Sequence, residues 1–335
     1  MCNTDVPSKM LIIVIGVLSG LGLCVGQETH PSVNRAAEIL RRADATPKAI
    51  VDTHIHFYQV TRAGGVPWPP KDSKLLYRDV LPDDYKQVAR PLGILASGVV
   101  EASPLQRDNL WILELIQDDS FFPFFVAKLE IGATDFIKNL HELTKNDRFV
   151  GIRGGLPGAK LDLDDRSIDH LKTLARLGLS LDLFSRGTRH PKAKISKLGE
   201  TVPDLRIMID HLGGAETDTV DPQWEQDMTL LAGNPNIYMK FSSFFDMVSS
   251  SVGKNTPPKS PNDLAYYKAH FDVLMREFGP DRLVWGSNWP VVTVGGTLAL
   301  QVKLAEDYLA PLGSEVRNKV MYQNALKFYK RMTPK

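Results

Sequence analysis

Short apolar or β-branched runs alternate with longer stretches of helical spacing eight times between residues 49 and 332. The runs fall at Ile50 to Phe57, Gly98 to Ala102, Phe122 to Leu129, Phe149 to Arg153, Leu179 to Phe184, Leu205 to Ile209, Ile237 to Phe241 and Leu283 to Gly286. Between and after them, helical patterns cover about Leu105 to Gln117, Thr134 to Asn146, Ser167 to Leu177, Pro191 to Thr201, Pro222 to Ala232, Asp263 to Phe278, Thr297 to Leu309 and Ser314 to Lys330. Several begin on good starting residues, such as Thr134 before Asp135 and Asp221 before Pro222. A strand that crosses over through a helix to the next strand does so right-handedly, which makes the strands parallel. Eight such units predict a single-domain α/β chain, a (β/α)8 TIM barrel over residues 49–332. The rival is a doubly wound sheet. It fits less well, because no Gly-x-Gly-x-x-Gly follows the first strand; what stands there is His54-Ile55-His56.

The ends of the chain read differently. Met10 to Val25 is an uncharged run rich in Leu, Ile, Val and Gly, short for a membrane span but suited to the apolar core of a secretory signal. Residues 1–26 are therefore expected to be a signal, cut after Cys24-Val25-Gly26, with no membrane span in the mature form. A cut before Cys24 would instead leave a lipid anchor on that cysteine, although Leu23 is bulkier than such signals normally carry there. Either route exports the protein to the periplasm or cell envelope of a bacterium. Residues 27–48 read as a polar linker with a first helix around Asn34 to Ala43. Cys2 and Cys24 are the only cysteines, so a chain cut after Gly26 has no disulfide and must build any metal site from His, Asp, Glu, Asn or water. Forty basic residues against thirty-nine acidic ones leave a formal charge of +1, which gives no reason to expect a nucleic-acid partner. A small-molecule substrate is the expectation, and the oligomeric state, including a homo-oligomer, stays open.

In a parallel barrel the chemistry gathers at the C-terminal ends of the strands. His54 and His56, two apart on the first strand, share a face and form a two-nitrogen grip for a metal or substrate. The long Gly- and Pro-rich loop from Tyr58 to about Pro82 is a natural lid, with Trp68 and Tyr77 as its expected contacts. Later strand ends offer Glu101, Arg153, Asp182, Asp210 with His211, Lys240, and Asn288 with Trp289. Charged groups near a barrel axis are costly to bury unless paired, hydrated or metal-bound. Arg153 presents a planar fork suited to a carboxylate or lactone oxygen. His190, before Pro191, could cap a helix or touch substrate. Each has a structural account as well: a satisfied polar pair for His54 and His56, an ion pair for Arg153.

Several segments carry a resemblance. Val51-Asp52-Thr53-His54-Ile55-His56-Phe57, Phe149-Val150-Gly151-Ile152-Arg153, Ile209-Asp210-His211-Leu212-Gly213 and Asp281-Arg282-Leu283-Val284-Trp285-Gly286-Ser287-Asn288-Trp289-Pro290 resemble, in order, the amidohydrolase-related family of the amidohydrolase superfamily. The likeness is to its sugar-lactonase-like branch, with rhamnono- and fuconolactonases and, more distantly, pyrone-dicarboxylate lactonase. It implies a metal-dependent or metal-optional hydrolase, with the first-strand histidines, the sixth-strand histidine and an eighth-strand acid lining the site. Asn288 stands where that acid is expected; an amide can orient a water but cannot take its proton at neutral pH. The expectation is a lactonase that opens the lactone of a sugar acid or similar small carboxylated compound. His54, His56 and His211 would hold a divalent ion, zinc by ligand type. Arg153 and Lys240 would hold substrate carboxylate or hydroxyl groups, with Trp68, Tyr77, Glu101, His190 and Trp289 as further contacts, and proton removal would fall to the metal, His211 or Glu101. A decarboxylase or other amidohydrolase-type hydrolase, and a non-catalytic small-molecule-binding protein of the same fold, are the alternatives.

Overall fold

The apolar entry of Ile50-Val51 forces the first strand, β1 (Ile50–Ile55), into the interior, and all six of its residues are buried. The computed structural model describes residues 30–155, 163–184, 192–216, 219–247 and 260–331, together with Met1. Strands β2 (Ile94–Val100), β3 (Phe124–Glu130), β4 (Phe149–Gly155), β5 (Ser180–Leu183), β6 (Arg206–Ile209), β7 (Ile237–Ser242) and β8 (Leu283–Gly286) follow in the order of the chain. Each pairs in parallel with the next, giving one eight-stranded sheet. The last strand returns to the first. Asn288 N donates to His54 O at 2.8 Å and His56 N to Trp289 O at 2.8 Å, beside a parallel bridge between Ile55 and Trp289. The result is the expected single-domain (β/α)8 barrel, with its core in the two layers inside and outside the sheet.

The outer helices are α1 (Pro31–Asp44), α2 (Pro82–Ala89), α3 (Gln106–Ile116), α4 (Phe136–Thr144), α5 (Asp165–Arg176), α6 (Lys192–Thr201), α7 (Pro222–Ala232), α8 (Leu264–Phe278) and α9 (Leu298–Leu309). Asp164, Asp221, Asp263 and Thr297 cap α5, α7, α8 and α9 through their side-chain oxygens. The fourth helix opens later than Thr134, at Phe136, with Asp135 before it making no side-chain cap. The terminal pattern from Ser314 is broken: α10 (Ser314–Asn318) gives way to a π turn at Lys319–Gln323 and then α11 (Asn324–Phe328). Helix α1 lies across the bottom of the barrel, where Arg35 donates to Pro123 O at 3.2 Å and to Asp147 O at 2.7 Å, at the entries of β3 and β4.

A further element departs from the sequence expectation. The stretch after Pro82 is helical, as α2, between the long loop and β2. Its signals are short but physical: Pro82 opens it, Asp83 and Asp84 sit in its first turn, and Asp84 Oδ2 accepts from Leu81 N at 2.9 Å. Eight residues with two buried positions, Tyr85 and Ala89, carry too little periodicity to mark a helix. The loop itself is pinned at its base, where Tyr58 and Val80 exchange backbone hydrogen bonds at 3.1 and 2.8 Å. Among the described residues no helix is long and apolar enough to cross a membrane. The expected signal stretch and His190 lie outside the described residues.

Candidate active site

Lys240 of β7 is fully buried at the barrel axis. Its Nζ lies 2.8 Å from Asp182 Oδ2 on β5, 2.9 Å from Asp210 Oδ1 after β6 and 3.1 Å from His54 Nδ1 on β1. Asp182 Oδ2 also accepts from the Tyr329 hydroxyl at 2.5 Å. Burial alone would neutralise an ammonium here, but the two carboxylates outweigh it and hold Lys240 charged above the usual lysine range. Burial likewise opposes the charge on Asp210, yet Lys240 and His54 hold its carboxyl well below the ordinary range; Asp182 is pushed by burial up to about 6. Two carboxylates answered by one ammonium leave the axis short of positive charge. A further cation above it would complete the balance.

Three imidazoles stand over this ion core. The rings of His54 and His56 are 4.9 Å apart and nearly perpendicular, and those of His54 and His211 are 4.5 Å apart. His56 Nδ1 lies 2.7 Å from Val100 O, and its Nε2 lies 3.2 Å from Asn288 Oδ1. Burial holds His56 at about 3, so it is neutral; donating through Nδ1 leaves a lone pair on Nε2. That lone pair asks for the NH2 of Asn288. The amide turned over supplies it, with Oδ1 then accepting from Ser243, whose Oγ is 2.8 Å from the amide nitrogen. His211 Nδ1 is 2.9 Å from Ser242 Oγ.

The backbone that presents these groups is unusual. His211, Leu212, Ser243 and Asn288 all have φ between 52° and 60°, the left-handed region that side chains other than Gly enter at a price in energy. Gly213 follows at φ 62°, a conformation that glycine adopts without strain, with Met228 Cε 2.7 Å from where a Cβ would stand. Beneath β1, Asp52 Oδ1 accepts from His54 N at 3.1 Å and Ser287 N at 2.8 Å, and Tyr85 donates to Oδ2 at 2.6 Å. This buried carboxylate stitches the first strand to the eighth and fixes the backbone of His54.

His54, Asp210 and His211 place ligand atoms within 4.8 Å of one another, all three residues buried. Nε2 of His54 and Oδ2 of Asp210 are buried and find no hydrogen-bond partner among the described residues. Two nitrogens and a carboxylate oxygen with orphaned buried atoms fit a divalent cation, and zinc by donor type. The sequence expectation is sharpened in one respect. Asp210 enters the converging set, whereas both nitrogens of His56 already have protein partners.

Other expected residues are distributed around this centre. Arg153, half-buried on β4, makes no hydrogen bond or ion pair with the described residues; burial lowers its own affinity for a proton, and its charge contributes to the depression of His56. Trp68 of the loop reaches the centre, its ring 5.4 Å from that of His56. Glu101, at the end of β2, is 4 % exposed, with Oε1 accepting from Ser103 N at 2.5 Å and Oε2 unpartnered among the described residues. Two expectations are corrected. Lys240 lies below the site between two carboxylates and is not open to substrate. Trp289 is a core residue, its ring 5.1 Å from Tyr85 and its carbonyl closing the barrel, because the β8 turn points it away from the mouth. Tyr77 is half-buried in the loop, and its backbone N–H donates to Ser73 O at 2.8 Å. Tyr329 completes the ion core from the far end of the chain and carries no signal in the sequence, where an aromatic inside a terminal helical pattern reads as packing.

The sequence model for the amidohydrolase family matches residues 51–331. An L-fucono-1,5-lactonase of Burkholderia ambifaria is 27 % identical over 291 residues, which covers 84 % of this chain and 95 % of that protein. A D-galactarolactone isomerase of Agrobacterium fabrum is 25 % identical over 312 residues, covering 88 % and 97 %. Among solved structures, an amidohydrolase from Burkholderia multivorans with bound zinc superposes with a TM-score of 0.73 at 21 % identity, over 84 % of this chain and 99 % of that one.

Proposed function

The chain belongs to the amidohydrolase family, and from that premise we propose that it is a metal-dependent hydrolase opening the lactone ring of a sugar acid or a similar small carboxylated compound. The observation that carries this reading is the buried convergence of His54, Asp210 and His211 over an axis short of positive charge. The lactonase relative and the zinc in the Burkholderia multivorans structure support it. His54, Asp210 and His211 would hold the cation, which when bound supplies Lewis acidity toward an ester carbonyl.

The chain's own residues do the rest. Lys240 fixes Asp210, whose Oδ1 lies 3.5 Å from His54 Nδ1 and turns the ring's other nitrogen, Nε2, toward the cation, so two of the donors are oriented from below. Ser242 sets the ring of His211. Arg153, with no described partner, offers its fork to a substrate carboxylate or ring oxygen. Trp68 walls the site beside His56 and excludes water from that side. Asn288, bridging His56 and Ser243, holds the imidazole in register without accepting a proton.

The test joins metal analysis to turnover. Purified protein is expected to carry close to one zinc per chain and to release acid from sugar lactones in a pH-stat, with mass spectrometry showing addition of one water rather than isomerisation. His54→Ala is expected to lose the metal and on the order of a hundredfold or more in rate. Full lactone turnover by metal-free protein, or an unchanged His54→Ala variant, would overturn the reading.

A further inference from the structure

The eighth strand supplies an amide where a base is needed, so the proton of the attacking water must go elsewhere. Among the described carboxyl groups around the mouth, Asp182 is locked beneath the site by Lys240 and Tyr329, and Asp210 belongs to the converging donors. Glu101 is placed differently. It follows Val100, whose carbonyl lies 2.7 Å from His56 Nδ1, and it lines a crevice under the lid loop with Tyr58, Trp68 and Arg62. One carboxyl oxygen is fixed by Ser103 N, while the other is buried and has no described partner. A carboxylate anchored through one oxygen and free at the other is the arrangement a proton carrier requires.

We propose that Glu101 is the proton-transfer residue of ring opening, an assignment that rests on the hydrolase reading above. Glu101 Oε2 takes a proton from water as the water oxygen bonds to the lactone carbonyl carbon and the carbonyl electron pair moves onto its oxygen. When that pair returns, the bond from the carbonyl carbon to the ring oxygen breaks. The leaving ring oxygen takes the proton back from Glu101. The balance is one lactone and one water in, one hydroxy acid out, with Glu101 regenerated.

The surroundings tune this group. Burial pushes Glu101 up to about 7, with Asp108 on α3 adding to the rise and Ser103 N and Arg153 opposing it. Neutral His56 stands on the β1 side. From the lid, Arg62 pairs with Asp108, which also accepts from the Ser103 hydroxyl. The lid is thereby wired, through Asp108 and Ser103, to the carboxylate that would move the proton. Asp108 is a positioning residue in this scheme.

The experiment is a pH–rate profile of the holoenzyme on a lactone it opens, for wild type, Glu101→Gln and Asp108→Asn. Activity of the wild type is expected to rise with pH through an acid limb near 7, because the base works deprotonated. Glu101→Gln is expected to lose about a hundredfold to ten-thousandfold in kcat, with KM within threefold and no limb near 7 in what remains. Asp108→Asn removes a negative neighbour and is expected to move the limb to lower pH, a readout that packing alone would not shift and one that stands should Glu101→Gln not fold. An active wild type with Glu101→Gln within threefold, or with the limb unmoved in both variants, overturns the assignment and leaves the hydrolase reading intact. A metal-loaded wild type inert on every lactone overturns that reading, and this assignment with it.

Discussion

Glu101 and His56 titrate in opposite directions, and the sign of each can be worked out. His56 falls from 6.5 to about 3 through burial, so between those values the unfolded chain binds a proton that the native one refuses, and stability is lost as pH falls. Glu101 rises from 4.5 to about 7, again through burial, so the native state holds the extra proton and stability is lost as pH rises through that window. The two oppose one another between 4.5 and 6.5. Replacing Glu101 by Gln removes only the second. Urea unfolding of wild type and Glu101→Gln at pH 4.5 and pH 8 is therefore expected to show the variant gaining on the wild type as pH rises, by up to roughly 3 kcal/mol. A gap that stays constant would mean that the carboxyl is solvated in the native protein. A residue that destabilises the fold at the pH where it would act is what a functional carboxylate looks like energetically.

At the scale of elements, the long loop after β1 is held by its contacts with α3. Arg62 pairs with Asp108 while its guanidinium lies 4.4 Å from the centre of the Trp111 ring. Arg107 Nη2 donates to Gly64 O at 2.9 Å and Gly65 O at 3.3 Å, at a turn where both glycines have positive φ. Arg62→Ala is expected to speed hydrogen exchange in residues 59–79 while leaving β1 and β2 protected, and to raise KM several-fold with a loss of about 1–2 kcal/mol in stability. Uniform exchange across the chain would show that the latch is dispensable. The long loop after β1, all eight strands and the outer helices except α2 were legible, because turn residues, apolar runs and helical spacing repeat often enough to be counted. His54, His56 and His211 were legible because strand-end polar residues in a parallel barrel must share one mouth. What the sequence hides is partnership. Lys240 reads as a substrate hook until the axis shows Asp182 and Asp210 on either side of it, and Trp289 reads as a wall until the β8 turn shows it facing Tyr85.

For the whole molecule, the buried ammonium is the point on which four strands agree. Lys240→Met would leave Asp182 and Asp210 facing each other in a dry interior, and a loss of about 3–5 kcal/mol is expected by denaturant unfolding. Lys240→Met with Asp182→Asn is expected to recover part of it, since one uncompensated charge is removed with its partner. A double variant no better than the single would argue that Asp210 alone carries the penalty. During synthesis this geometry sets an order of events. The Tyr329 hydroxyl meets Asp182 across 147 residues of chain, and at about 5–20 residues per second β5 waits roughly 7–30 s for it. Until then the lower end of the barrel, where the Tyr329 ring stacks on that of Phe124, admits water, which screens the aspartates far more strongly than the finished interior does. The active centre is thus among the last parts of the protein to exist: a nascent chain halted before residue 329 would have its catalytic side chains but not the dry, ion-paired setting that gives them their chemistry.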